Sequence, residues 1–195
     1  MNKLVIASNN PGKLREFHHL LAPLNIEVQT QSQLNIEEAA EPHNTFIENA
    51  LAKARHVSRL SGLPALADDS GICVSALGGA PGVLSARFAG NDPKSDQNNN
   101  KKLLHDMHGI TDRRAHYYCV LVLMQHVDDP QPLIAEGEWH GEIAHEQRGE
   151  GGFGYDSLFW LPALGKMSAE LEKGEKAQLS HRSQALNVLM EKLND

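Results

Sequence analysis

The chain is poor in cysteine, has no long apolar run, and nowhere clusters its positive charge. Only Cys73 and Cys119 occur in 195 residues, far apart and without a pairing pattern. That argues against a disulfide scaffold: two reduced core thiols are the reading, with a single Cys73–Cys119 bridge as the alternative. A chain of this length buries roughly 70% of the surface its unfolded form exposes and needs no staple. No stretch approaches the ~18 apolar residues that span a membrane. The run Leu4-Val5-Ile6-Ala7 is too short for a signal-peptide core and reads as a first strand. A soluble, cytoplasmic protein without a membrane partner is therefore expected.

Lysine and arginine number 18 against 25 Asp and Glu, for a formal net charge of −7 with histidine neutral. The cations are scattered singly, whereas a protein that grips polymeric nucleic acid presents a basic face. No polymeric nucleic-acid partner is expected, and any phosphate this chain binds must be held at a small local site. Other signatures are missing too. The 11 histidines, including His18-His19 and the pair His105 and His108, lack the paired Cys/His spacing of a structural zinc site. There is no Gly-x-Ser-x-Gly elbow, neither cysteine lies in an electropositive motif, and no internal repeat, linker or low-complexity tract appears.

What is there reads as one α/β domain spanning residues 1–195. An apolar run from Lys3 to Ser8 leads into a polar loop, then a helix carrying Leu14, Phe17, Leu20 and Leu21. Ile26 to Thr30 reads as a second strand. Thr45 and Glu48 have capping-box spacing ahead of a stripe that includes Ala50, Leu51, Ala54 and Val57, which predicts a helix of about 16 residues. Ala65 to Ala67 and Ile72 to Ala76 read as strands around an Asp68-to-Gly71 corner. A polar helix begins at Ser95, and uncharged Tyr117 to Met124 is the most buried strand candidate. Leu133 to Trp139 and Glu142 to His145 read as a hairpin across His140-Gly141. Helices are expected near Ser168 and over the final stretch with Leu186, Leu189 and Leu193. The mixture predicts a mixed, curved sheet.

Four segments could carry chemistry. Ser8-Asn9-Asn10-Pro11-Gly12-Lys13 lies at a strand exit and a helix mouth, where backbone N–H groups and the helix dipole favour an anion. It lacks Walker A spacing, and by itself it also reads as a capped loop with a solvated lysine. Ala67-Asp68-Asp69-Ser70-Gly71 puts two acids at the end of an apolar strand, where α/β sheets bind ligands. Alternation along a strand leaves one acid for any given side. Magnesium suits such carboxylates, and a hydrogen-bonded acidic turn is the alternative. Gly151 to Asp156 offers close backbone approach, a Phe153 stacking face and an Asp156 acceptor for ring N–H groups; a glycine-rich hairpin with an aromatic plug is the bland version. Lys176 with Ser180-His181-Arg182-Ser183 offers donors for a base carbonyl or a phosphate, or simply a capped helix start. Glu41, before Pro42, reads on its own as a solvated loop acid.

In this order, these segments resemble the inosine/xanthosine triphosphate pyrophosphatase family, enzymes that remove non-canonical purine nucleotides. Ser8 to Lys13 is similar to the family's Thr/Ser-x-Asn-x-x-Lys loop, and Thr45 to Ala50 with Lys53-Ala54 to its first long helix. Ala67 to Gly71, Leu77 to Gly82, Gly152 to Asp156 and Ser180 to Arg182 complete a set that covers nearly the whole chain. Ser157 stands where the family usually has proline, and Met167 where it usually has threonine.

The resemblance implies a curved mixed β-sheet with flanking helices forming two lobes around a nucleotide cleft, and a homodimer as the working form. It implies a Mg²⁺-dependent hydrolysis of ITP, dITP or XTP to the monophosphate and pyrophosphate. Ser8, Asn9, Asn10, Pro11, Gly12, Lys13, Lys53 and Lys176 would hold the triphosphate. Glu41 and Asp69 would bind magnesium, with Asp69 also the base. Ser70, Phe153, Gly154, Tyr155, Asp156, His181 and Arg182 would complete the purine pocket. Related pyrophosphatases that prefer modified pyrimidines, and a nucleotide sensor without turnover, are the rival readings. The His181-Arg182 pair argues against the first and the acids against the second.

Overall fold

The computed structural model describes residues 2–22, 26–90 and 94–194. Among these, the elements run β1 (Lys3–Ile6), α1 (Pro11–Leu21), β2 (Glu27–Thr30), α2 (Phe46–Ser61), β3 (Ala65–Val74) and α3 (Asp96–Asp106). They continue β4 (Arg114–Met124), β5 (Leu133–Ile143), β6 (Phe159–Leu161), β7 (Lys166–Met167), α4 (Lys173–Leu179) and α5 (His181–Asn194). The strands form one sheet in the order β2-β1-β3-β4-β5-β6-β7. Strand β1 runs parallel to β2 and β3, while β6 runs antiparallel to β5 and β7, so the sheet is mixed as the sequence predicts. No described helix is long and apolar enough to cross a membrane.

The chain divides into two compact units. The first comprises residues up to Asp69, Cys119–Gly137 and everything from Arg182 onward; the second comprises Ser70–Tyr118 and Glu138–His181. In the first, Leu4 and Ile6 of β1, Phe17 and Leu21 of α1, Leu121 and Leu123 of β4, and Ala185, Leu186 and Leu189 of α5 bury one another. Residues 185, 186 and 189 form one helical stripe, and each buried leucine contributes about 1.5–3 kcal/mol of transfer free energy. In the second, Ile72, Leu103 and Met107 pack with an aromatic group in which the Phe159 ring lies 4.7 Å from Tyr117 and 5.4 Å from Trp139.

Local signals explain the helix ends. Thr45 caps α2 by accepting from the Glu48 N–H at 3.3 Å, and Gly62 closes it at φ 68°. Asn10 caps α1, with Pro11 in its first turn.

Three expectations are corrected. The acidic segment makes no corner: β3 runs unbroken through Asp68-Asp69-Ser70-Gly71. Gly71 serves close packing rather than a turn, since a Cβ there would collide with the Gly82 carbonyl and the Ser85 hydroxyl. That hydroxyl accepts from the Ile72 N–H at 2.9 Å. Gly141 is a second such case. A Cβ on it would lie 2.5 Å from the Trp160 carbonyl oxygen, so glycine admits β6 and the expected hairpin is one strand, β5. Finally, Ser168–Glu170 forms a single 3-10 turn, and the helix starts only at Lys173. The short strands β6 and β7 carry too few residues for a periodic pattern to mark them.

Candidate active site

The first unit gathers most of the expected phosphate and metal residues around two neighbouring acids. Alternation along β3 gives Asp68 and Asp69 different partners. Asp68 pairs with Lys13, and its Oδ2 accepts from Arg182 Nε at 3.1 Å and Nη2 at 3.0 Å. The Cys119 thiol donates to the same oxygen at 3.4 Å. Arg182 also pairs with Glu16 and is only 1% exposed. Burial pushes the Asp68 carboxyl up, but the charges of Arg182, Lys13 and Lys53 outweigh it and hold Asp68 well below the usual carboxylate range. Burial and the Asp68 charge raise the Cys119 thiol, so it stays protonated.

Asp69 has a different environment. Its Oδ1 accepts from Lys53 Nζ at 3.0 Å and its Oδ2 from Asn49 Nδ2 at 3.3 Å. The same ammonium donates to Glu41 Oε1 at 2.9 Å. Asn49 and Lys53 stand four residues apart on α2 and so share a face, alongside buried Ala50 and Ala54. The His43 backbone fixes the Asn49 amide through its N–H (3.1 Å) and its carbonyl (3.2 Å). Burial raises the Asp69 carboxyl above its ordinary 3.8, Lys53 and Lys13 offset this only in part, and Glu41 adds to it. Burial lowers Lys53, but Asp69 and then Glu41 reverse that and raise it. The two directions agree physically: one ammonium answers two acids.

The first loop is built as a cap. Asn10 Oδ1 accepts from the N–H groups of Gly12 (2.8 Å) and Lys13 (3.1 Å), and Ser8 Oγ accepts from the Asn10 N–H at 3.2 Å. Asn9 and Pro11 are exposed.

The second unit holds Ser70, Phe153 to Asp156, Lys176 and His181. Asp156 is 3% exposed. Its Oδ2 accepts from the Phe153 N–H at 2.8 Å and Lys176 Nζ at 2.5 Å, and its Oδ1 from Ser168 Oγ at 2.9 Å. Lys176 Nζ also sits 5.0 Å from the centre of the Phe153 ring. Gly152, at φ 75°, has no room for a Cβ beside the Asp156 carboxylate. The Gly154 N–H donates to Asp96 at 2.7 Å, its carbonyl accepts from Asn100 at 2.9 Å, and the Tyr155 hydroxyl donates to the Ser85 carbonyl at 2.8 Å. A cavity of about 280 Å³ is bordered by Phe153, Gly154 and Asn100. His181 stacks on Tyr117 with ring centres 4.8 Å apart and planes 9° from parallel.

Sequence reasoning missed Glu16, Asn49, Asn100 and Ser168. For Asn49 a signal existed: a polar residue on the buried stripe of α2, one turn before a lysine on the same face. Glu16 lay three residues after Lys13, on the same side of α1. Asn100 and Ser168 act through contacts across 54 and 12 residues, which no spacing rule encodes.

Magnesium keeps several waters and needs only one or two protein carboxylates. Glu41 and Asp69, already converging on one lysine, fit that demand. Among the described residues no group of three or more His, Cys, Asp or Glu is arranged around a metal position.

The sequence model of the Ham1 family matches residues 4–192. This chain belongs to the Ham1 family. The Ham1 match runs from β1 into α5 and so takes in both compact units. The dITP/XTP pyrophosphatase of Ralstonia nicotianae is 64% identical, covering 99% of this chain and 97% of that protein. The protein of the same name from Nitrosomonas europaea is 63% identical over 100% of this chain and 96% of its own length. Among solved structures, a HAM1 protein from Coxiella burnetii has a TM-score of 0.92 at 44% identity, covering 100% of this chain and 99% of that one. The Staphylococcus aureus Ham1 protein has a TM-score of 0.87 at 39% identity, with 98% of each chain covered.

Proposed function

We propose that this Ham1 chain is one functional domain that hydrolyses non-canonical purine nucleoside triphosphates (ITP, dITP and XTP) to the monophosphate and pyrophosphate. The name borne by its relatives at 63–64% identity supports the substrate class. The observation that carries the chemistry is Asp69: buried, raised in pKa, and sharing one lysine with Glu41. A carboxylate whose pKa is raised is the better proton acceptor. In this reading Asp69 takes a proton from a water whose oxygen bonds to the α-phosphorus as the bond to the α,β-bridging oxygen breaks.

Glu41 and Asp69 hold the magnesium, which when bound neutralises part of the charge on the phosphates. Lys13, Lys53 and Lys176, with Ser8 to Gly12, grip the triphosphate. Stabilising the charge that develops on its oxygens usually contributes more to such a reaction than any other effect. Ser70, Phe153 to Asp156, His181 and Arg182 receive the rest of the nucleotide, with Phe153 stacking on the purine. A 6-carbonyl accepts from a histidine or arginine donor where the 6-amino group of adenine cannot. A polar site left unpaired by the wrong base can discriminate by ~10⁴. The working form is a homodimer.

Pyrophosphate release from ITP and from ATP, with and without magnesium, tests this. Release from ITP that needs magnesium and far exceeds release from ATP is expected. No release from any 6-oxopurine triphosphate would overturn the reading.

A further inference from the structure

Strands β4 and β5 are neighbours in the sheet, and the Ile143 N–H donates to the Arg113 carbonyl at 2.8 Å. In an antiparallel ladder that bond sets the two residues opposite each other. Three residues back from Ile143 is His140, and three on from Arg113 is His116, so the two histidines face each other across the strands. Their ring centroids are 5.5 Å apart with planes tilted by 41°. Two imidazoles on one ion, with metal–nitrogen bonds of about 2.0–2.1 Å, place their centroids about 4.5 Å apart at the right-angled positions of a tetragonal copper(II) ion and about 5 Å apart at tetrahedral ones. The rings therefore stand within about 1 Å of the separation a shared metal requires.

A second feature belongs to such a site. Glu138, two residues before His140 and hence on the same sheet face, lies 3.1 Å from His140 Nε2. A neutral His140 that donates its Nε2–H to this carboxylate keeps the Nδ1 lone pair for a metal, the support that metal-bound histidines commonly have. The site opens to solvent, since the His140 side chain is 74% exposed.

We infer that His116 and His140 form a two-histidine site for a borderline divalent transition metal, copper(II) in preference to nickel or zinc, completed by water. Nitrogen ligands select these ions over magnesium and calcium, and copper leads the affinity order. The site thus takes a different class of ion from the carboxylates Glu41 and Asp69. Nothing in the sequence marks it, because the two histidines are 24 positions apart and each is a lone histidine in its own strand.

Copper(II) titration of metal-free protein, read by electron paramagnetic resonance and by competition with a chromophoric chelator, tests the site independently of turnover. Wild type should bind one equivalent most tightly, with hyperfine structure from two imidazole nitrogens. His116→Ala and His140→Ala should each weaken that equivalent roughly 10²-fold, the scale on which one of two linked ligands is felt. His105→Ala, an exposed histidine paired with Asp106, serves as the control and should change nothing. Wild-type affinity and spectrum in either of the first two variants, or a single-imidazole spectrum in wild type, would overturn the inference.

Discussion

Asp68 and Asp69 are adjacent in one strand and both buried, yet their carboxyls are driven in opposite directions. Asp68 and Glu16 face Arg182 and Lys13, two acids against two cations. Asp69 and Glu41 share Lys53. Burial penalises both carboxylates, so the outcome depends on how far the nearby charges offset that penalty. Arg182, Lys13 and Lys53 outweigh it at Asp68, and Lys53 and Lys13 do not at Asp69. Where charges balance, the acid is locked ionised and ties β3 to α1 and α5. At Asp69 the nearby cations fall short of the burial penalty, and the acid is raised beside a second carboxylate, Glu41. Neighbouring identical residues thus meet opposite electrostatic fates without any change in fold.

The largest expected effect breaks the chemical half of this contrast. Asp69→Asn keeps size and hydrogen-bonding shape but removes the charge and the proton acceptor. Turnover of ITP at saturating magnesium should drop by ~10²–10⁴, the range of a lost general base, while the melting temperature holds. Asp68→Asn breaks the structural half. It leaves Arg182 and Lys13 with an uncompensated buried charge and should cost about 3–5 kcal/mol in urea unfolding, with a smaller loss of turnover in the folded fraction. If instead that variant is fully stable and inactive, the two roles are reversed.

Lys13→Ala sharpens the balance on the Asp68 side, and in the proposed function it also removes a phosphate contact. A loss of about 1.5–3 kcal/mol in kcat/KM is expected, shared between KM and kcat. Kinetics identical to wild type at every magnesium concentration would reduce Lys13 to a structural counter-ion. Glu41→Gln removes a negative charge that raises Asp69. The magnesium concentration for half-maximal rate should rise roughly tenfold, the scale on which a metal site feels its supporting groups. An unchanged magnesium curve would remove Glu41 from the metal.

The smallest effect is in acid stability. The folded-state pKa of Asp68 is depressed, so its stabilisation is present above the unfolded value near 3.8 and is lost as pH falls below it. Below about pH 4 wild type should lose up to ~1.4 kcal/mol per pH unit more than Asp68→Asn. Parallel stability curves for the two proteins would contradict the depression.

Much of this contrast is legible in the sequence. The apolar run leading into two acids, the Thr45 cap of α2 and the opening Ser8-to-Lys13 loop each follow a local rule that marks them. The alternation rule also predicts that Asp68 and Asp69 separate. What stays hidden depends on contacts between distant segments. Nothing near Arg182 in sequence says that its guanidinium is buried against Asp68, 114 residues away, and Glu16, 166 residues away. Gly71 and Gly141 mislead for a related reason. Glycine marks both turns and close approaches, and only the neighbours Ser85 and Trp160 reveal which applies. The Asp156 carboxylate, which the sequence offers as an acceptor for a base, likewise draws donors from Ser168 and Lys176, which arrive from later in the chain.

Two adjacent acids with opposite electrostatic fates are the centre of the account, and side-chain carboxyl ¹³C NMR titration of the metal-free protein measures them directly. The Asp69 carbon should titrate above 3.8 and the Asp68 carbon below it, or not at all within the folded range. Asp68 titrating at higher pH than Asp69 would contradict the account.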